Sequence, residues 1–128
     1  MTCKIIQTPR APAAIGPYSQ GIVTPPFLFV SGQLGMIPES GELISDNLAD
    51  QARQAIRNMR EIVRAAGAEL IHVTSVDVFI TDMAKFGKFN EVYQEFFSEH
   101  KPARAVVEVS ALPKGACVEI KCIAVLPV

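Results

Sequence analysis

No sign of charge dominates this chain of 128 residues: 12 Lys and Arg stand against 13 Asp and Glu, for a net charge of −1. The basic residues form no run, so the footprint of a nucleic-acid surface is not evident. Long apolar runs are also lacking, and none approaches the roughly 18 residues that a membrane-spanning helix requires. The opening residues, Met1-Thr2-Cys3-Lys4-Ile5-Ile6, contain no apolar core of a secretory signal. Cysteine is scarce. Three residues cannot complete a disulfide set, and reduced thiols in a cytoplasmic setting are the simpler expectation. Cys117 and Cys122 stand five apart, so an extended strand points them to opposite faces, which argues against a shared metal. His72 and His100 are distant in sequence, and nothing pairs either with an acid or a nucleophile. Neither glycine-rich phosphate loop, G-x-x-x-x-G-K-[ST] or G-x-G-x-x-G, occurs. No metal and no bound cofactor is expected.

What is abundant is apolar surface. Hydrophobic residues make up 49% of the chain and the mean hydropathy is +0.26, rich for one domain spanning residues 1–128. Some of that surface is expected to lie between subunits.

The hydrophobic period changes along the chain. Lys4 to Gln7 reads as a short strand, and Thr8 to Gln20 as a loop broken by Pro9, Pro12, Gly16 and Pro17. Gly21 to Thr24 and Phe27 to Gln33 read as a strand pair around Pro25-Pro26, and Pro38 to Gly41 as a turn. From about Leu48 to Ala66 apolar residues recur every three or four positions, which predicts an amphipathic helix. Asn47 suits its N-cap and Gly67 its stop, with Gln51, Arg53, Arg57 and Arg60 on the wet side. His72 to Ile80 alternates as a strand, with Val76, Val78 and Ile80 on one face and Ser75, Asp77 and Phe79 on the other. Asp82 is expected to cap a second helix running to about Ser98, striped by Met83, Phe86, Phe89, Tyr93, Phe96 and Phe97 and weakened by Gly87. Arg104 to Val109 and Ala116 to Leu126 are the last strands, read as two strands joined by a turn at Leu112 to Gly115. The order β-ββ-α-β-α-ββ predicts an α+β fold: a mixed sheet with two helices packed on one face. Strands apolar at both parities, such as Ile123 to Leu126, predict that neighbouring subunits cover the other face.

Two charges stand out in this apolar setting. Arg104 shares a strand face with Val106 and Glu108. It either pairs with Glu108 or solvent, or clamps a carboxylate through the planar fork that lysine lacks. Glu119 shares its face with Lys121. It is either half of an ion pair or a general acid/base for attack by water. Tyr18 sits on the rigid loop Gly16-Pro17-Tyr18-Ser19-Gln20, as half-buried packing or as a ligand contact. Ser31-Gly32-Gln33 ends a strand with a small polar surface. Asn90, mildly unfavourable inside a helix, faces water or has a polar role.

Ile15-Gly16-Pro17-Tyr18-Ser19-Gln20, Val30-Ser31-Gly32-Gln33, Gln51-Ala52-Arg53-Gln54, Pro102-Ala103-Arg104, Leu112-Pro113-Lys114 and Val118-Glu119-Ile120 together resemble the RidA (YjgF) family of reactive-intermediate deaminases, over essentially the whole chain. The resemblance implies a chorismate-mutase-like fold of the bacillary type and a homotrimer with clefts between subunits. It implies cytoplasmic hydrolysis of 2-enamine and 2-imine acids, such as 2-aminoacrylate, 2-iminopropanoate and 2-iminobutanoate, to 2-keto acids and ammonia. Arg104 would clamp the substrate carboxylate and Glu119 would activate the water, as the catalytic pair. Tyr18, Ser31 and Asn90 would line the cleft, and backbone groups at Val106 would meet the imine nitrogen. Many members carry cysteine where this chain has Val106, so a role for that thiol finds no support here. The expected partners are small 2-imino or 2-keto acids, with no membrane and no nucleic acid. The alternatives are a module that binds small carboxylates without turnover, or a ribonuclease or translation inhibitor. The neutral charge and the lack of a histidine pair count against the latter.

Overall fold

The computed structural model describes residues 2–128. Met1, at the head of the segment read for a secretory signal, lies outside them. The elements are β1 (Lys4–Ile6), β2 (Gly21–Thr24), β3 (Phe27–Gln33), α1 (Leu48–Ala65), β4 (Val73–Ile80), α2 (Phe86–Phe96), β5 (Ala103–Glu108) and β6 (Val118–Val125). The strands form a six-stranded sheet in the order β1-β2-β3-β6-β4-β5. All neighbours are antiparallel except β4 and β5, which α2 connects in parallel. The expected α+β architecture is therefore present, but β5 and β6 are not a hairpin. β4 lies between them, because the parallel crossover through α2 pairs β5 with β4 on one side and leaves the other side of β4 for β6.

The alternation of β4 explains why both helices take the same face. Val76, Val78 and Ile80 are buried under the helices, as are Leu28 and Val30 of β3 and Val118, Ile120 and Cys122 of β6. From α1, Ala52, Ala55, Ile56, Met59, Ile62 and Val63 meet them, and Phe89, Val92 and Tyr93 come from α2. Fully burying one Leu or Ile side chain stabilises by about 1.5–3 kcal/mol, and these residues form a continuous cluster. Asn47 caps α1 by accepting from the Asp50 amide at 3.1 Å, and Gly67, at φ 87°, takes the left-handed conformation that ends the helix.

Local readings depart from the structure at three places. Gln51 is buried rather than wet. Its Oε1 accepts from the Cys117 amide at 2.9 Å and its Nε2 donates to the Ser45 carbonyl at 2.8 Å, so it ties α1 to two loops. The second helix begins later than Asp82. Asp82 accepts from the Ala84 amide at 3.0 Å and so caps a single 3-10 turn, Met83–Lys85, after which α2 starts at Phe86. β6 begins at Val118, because the turn before it carries Lys114 and Gly115 at φ 60° and 68°, outside the range of a strand.

The other sheet face is open. Register sets Ile22, Phe29 and Ile123 in one row, Phe27 and Val125 in a second, and Glu119, Phe79 and Val107 in a third. Phe29 is 43% exposed and Val107 45%. These exposed side chains form apolar rows on that face of the sheet. Among the described residues no helix is long and apolar enough to cross a membrane.

Gly35 is where the chain leaving β3 crosses α1. A Cβ there would lie 2.5 Å from Cα and O of Gln51, and backbone cannot yield as a side chain can. Gly35→Ala is expected to destabilise the fold by about 1–3 kcal/mol. A thermal melt checks this, and an unchanged melting temperature would contradict the close packing.

Candidate functional site

Two clusters of polar side chains form on this scaffold, one on each face of the sheet. The first lies on the open face, in a cleft of about 1000 Å³ between the loop before β2, the end of β3 and the turn before β6. Its lining includes Tyr18, Phe29, Ser31, Gly32, Lys114 and Glu119. Gln20 shapes the loop. It is buried, accepts from the Thr8 amide at 2.7 Å, and donates to the carbonyls of Ala11 at 3.3 Å and Pro12 at 2.8 Å. The loop then turns at Gly16, φ 126°, a conformation that favours glycine, and Tyr18 emerges half exposed. Ser31 is fixed to the same loop: its amide donates to the Gln20 carbonyl at 2.9 Å and its hydroxyl donates to the Ser19 carbonyl. The hydroxyl oxygen keeps its lone pairs for a ligand.

Glu119 stands on β6 against the backbone of Gly32. A Cβ on Gly32 would fall 2.9 Å from the Glu119 Cδ, so the missing side chain is what lets the carboxyl lie flat on β3. Glu119 makes no ion pair among the described residues, and the Glu119–Lys121 pair is not formed. Partial burial pushes its pKa up, and the charge of Lys121 opposes this in part. A carboxyl group whose proton is held more tightly is a stronger base for taking a proton from water, and it can return that proton later.

The second cluster lies at the β5 edge, on the helix side. Arg104 is in register with Val76, and Val106 with Val78, so both face the helices. The Arg104 Nη1 donates to Asn90 Oδ1 at 2.8 Å. Its guanidinium lies over the rings of Tyr93, 4.7 Å from the centroid, and Phe86, 5.6 Å away. Glu108, the acid on the same strand face, accepts instead from the Met83 amide at 2.8 Å. Of the two readings open to Arg104, the Glu108 pair is therefore not the one formed. The helix asparagine has its polar role, and Val106 is half-buried beside Arg104.

The structure thus brings Tyr18, Ser31 and Glu119 together, and separately Asn90, Arg104 and Val106. It does not join the two groups within one chain. Glu119 is in register with Phe79 and Arg104 with Val76, and residues 76 and 79 of one strand point to opposite faces.

Both histidines serve the backbone: His72 Nδ1 accepts from the Glu69 amide at 2.9 Å, and His100 Nε2 meets the Val73 carbonyl at 2.6 Å. Sequence reasoning named Gly32 only within the segment Ser31-Gly32-Gln33, and passed over Phe86 and Tyr93 as site residues. A glycine inside a strand signals close approach of another group. Phe86, Asn90 and Tyr93, at i, i+4 and i+7, share one helix face, a spacing that could have gathered them around Arg104.

Comparison with known proteins finds relatives over nearly the whole chain. A family model described as Endoribonuclease L-PSP matches residues 8–126. The chain is 43% identical to the human 2-iminobutanoate/2-iminopropanoate deaminase over 122 residues, covering 95% of this chain and 89% of that protein. It is 48% identical to the bovine protein of the same name, with the same coverage. Among solved structures, E. coli TdcF with bound serine superposes with a TM-score of 0.92 at 45% identity, covering 97% of this chain and 99% of that one.

Because Glu119 has a raised pKa, the folded state holds its proton more tightly than the unfolded chain does. The charged form therefore costs stability at neutral pH. That cost disappears as pH falls through the folded pKa toward the ordinary value of 4.5. Glu119→Gln is expected to melt above the parent at neutral pH, with the gap closing in acid below 4.5. A variant that melts lower than the parent at neutral pH would contradict the burial cost.

Proposed function

The chain belongs to the Endoribonuclease L-PSP (YjgF/RidA) family, and from that premise we propose that it hydrolyses 2-imino and 2-enamine acids to 2-keto acids and ammonia, in a cleft that two copies complete. Arg104 without an acidic partner carries this reading. It is an exposed guanidinium held by Asn90 and two rings, with no carboxylate partner among the described residues, and so is open to an incoming anion.

In the proposed reaction the planar fork of Arg104 holds the substrate carboxylate in two parallel hydrogen bonds. Asn90 fixes the orientation of the guanidinium, and backbone groups at Val106 meet the imine nitrogen. Glu119 of a second copy takes a proton from water as its oxygen adds to the imine carbon. The addition forms a C–O bond and moves the C=N electron pair to nitrogen, giving a carbinolamine. Starting from the protonated imine, Glu119 then returns the proton to the carbinolamine nitrogen; the C–N bond breaks and ammonia leaves as the hydroxyl proton passes back to Glu119 and the carbonyl forms. Tyr18 and Ser31 line the cleft beside the reacting atoms. An imine is already electrophilic, so orientation and a base meet the needs of the step without a covalent nucleophile. A relative solved with bound serine supports a ligand of amino-acid size.

The apolar open face supports the oligomer. A second copy seated there would remove Phe27, Phe29 and Val107 from water and bring its own β5 edge to the cleft of its neighbour. Such a contact joins unlike surfaces, and closed into a ring it gives a homotrimer. In this reading the chain acts as one domain in the cytoplasm, on small acids rather than nucleic acid.

Added to a threonine dehydratase reaction, the protein is expected to speed release of 2-ketobutyrate and to lower the imine trapped by semicarbazide. No change in either would refute the activity. Arg104→Ala should lose roughly 10- to 100-fold in kcat/KM with the oligomer intact, since charge-assisted bonds contribute about 1.5–3 kcal/mol. Glu119→Gln should still bind 2-ketobutyrate while kcat falls by about 100-fold or more. Wild-type turnover in Glu119→Gln would refute the acid/base role of Glu119, whereas 2-ketobutyrate binding by a parent without turnover would leave only the binding-module reading.

A further inference from the structure

We propose that Tyr93, with Phe86, is a positioning residue for Arg104: the two rings hold the guanidinium ready for an incoming carboxylate in the place where a surface arginine would have an acidic partner. The inference rests on the reading of Arg104 as the carboxylate clamp.

The contrast with Arg53 and Arg64 motivates it; Arg60 also lies over a ring, 5.6 Å from the centroid of Phe96, but keeps Glu61 at 3.8 Å. Arg53 is bound through two nitrogens to Glu95, at 2.8 and 2.7 Å. Arg64 is bound to Glu69 and Glu61, at 3.0 and 3.1 Å. Both forks are occupied by carboxylates. Arg104 makes no ion pair among the described residues, yet its position is defined by two rings at 4.7 and 5.6 Å and by Asn90 at 2.8 Å. The difference matters for function. A ring attracts a cation without accepting its N–H groups as a carboxylate would, and a guanidinium has five such donors. Asn90 takes one, so a bidentate edge remains for the ligand.

Tyr93 is built to be immobile. It stacks on Phe97 with centroids 4.8 Å apart and an interplanar angle of 29°, and it packs against Phe89 at 5.6 Å. It is only 7% exposed. Its hydroxyl is buried and has no hydrogen-bond partner among the described residues, and what Tyr93 presents to Arg104 is the face of its ring. Phe86 covers the guanidinium from the first turn of the same helix.

The test compares substitutions at Tyr93 with one elsewhere in the core. Tyr93→Leu removes the ring and is expected to raise KM for the imine, and Kd for 2-ketobutyrate, by about tenfold, with a smaller effect on kcat. Tyr93→Phe keeps the ring and should hold both within about threefold of the parent. Ile62→Ala, in a buried residue of α1 away from Arg104, should lower stability without raising KM. Parental KM in Tyr93→Leu, or an equal rise in Ile62→Ala, would overturn the proposal. Should Tyr93→Leu fail to fold, Phe86→Leu at the half-buried rim should raise KM several-fold, and parental KM there would overturn it. A second readout does not depend on the reaction. The Arg104 Nε–H resonance should be shifted upfield by the ring current in the parent and return toward the ordinary position in Tyr93→Leu, or in Phe86→Leu. An unshifted parent resonance would overturn the cage even where the deaminase activity holds. A shifted resonance in a protein without imine turnover would sustain the cage while refuting the activity.

Discussion

The alternation of side chains along β4 governs where the two chemical groups of this protein can go. Val76 faces the helices and Phe79 faces away, so the residues in register with them, Arg104 and Glu119, leave the sheet in opposite directions. No rotamer of either side chain reverses that. A one-residue slip of β5 or β6 would turn every residue of that strand over, and the buried Val118, Ile120 and Cys122 make such a slip in β6 costly. The same core that stabilises the fold therefore separates a cation from a carboxylate that, placed together, would neutralise one another. Separation within the chain keeps Arg104 free of an acidic partner, and partial burial raises the pKa of Glu119.

The open face completes this logic. Its rows of Phe27, Phe29, Ile123 and Val107 are unfavourable in water and become favourable once covered. An oligomer that buries them would gain stability and assemble the site in the same step. Activity and association would then share one surface, and a substitution on that face would affect both.

Much of the scaffold was readable from sequence, because its signals are local. The three-to-four spacing from Leu48 onward and the two-residue alternation of β4 each report which side is buried, and both agree with the structure. The failures were non-local. Gln51 looks like a wet-face residue because its partners, the Cys117 amide and the Ser45 carbonyl, come from loops whose paths the helical period does not encode. β5 and β6 look like a hairpin because a short turn links them, yet the preceding crossover through α2 had already fixed β5 on the far side of β4. The site followed the same division. Residue types marked Arg104, Glu119, Tyr18, Ser31 and Asn90, but only the sheet register shows that they fall into two groups. Gly32 and Tyr93 were hidden because each acts on a neighbour, one by having no side chain in the way and the other by offering a ring face.

The central claim is that Arg104 of one copy works with Glu119 of another, and subunit mixing tests it most directly. Arg104→Ala and Glu119→Ala, each inactive alone, are unfolded together and refolded as an equal mixture. If each cleft draws Arg104 from one subunit and Glu119 from its neighbour, about one quarter of the clefts receive both intact residues. The mixture should then recover about that share of parental deaminase activity. If the two residues serve within a single chain, every site lacks one of them, and the mixture stays as inactive as its components.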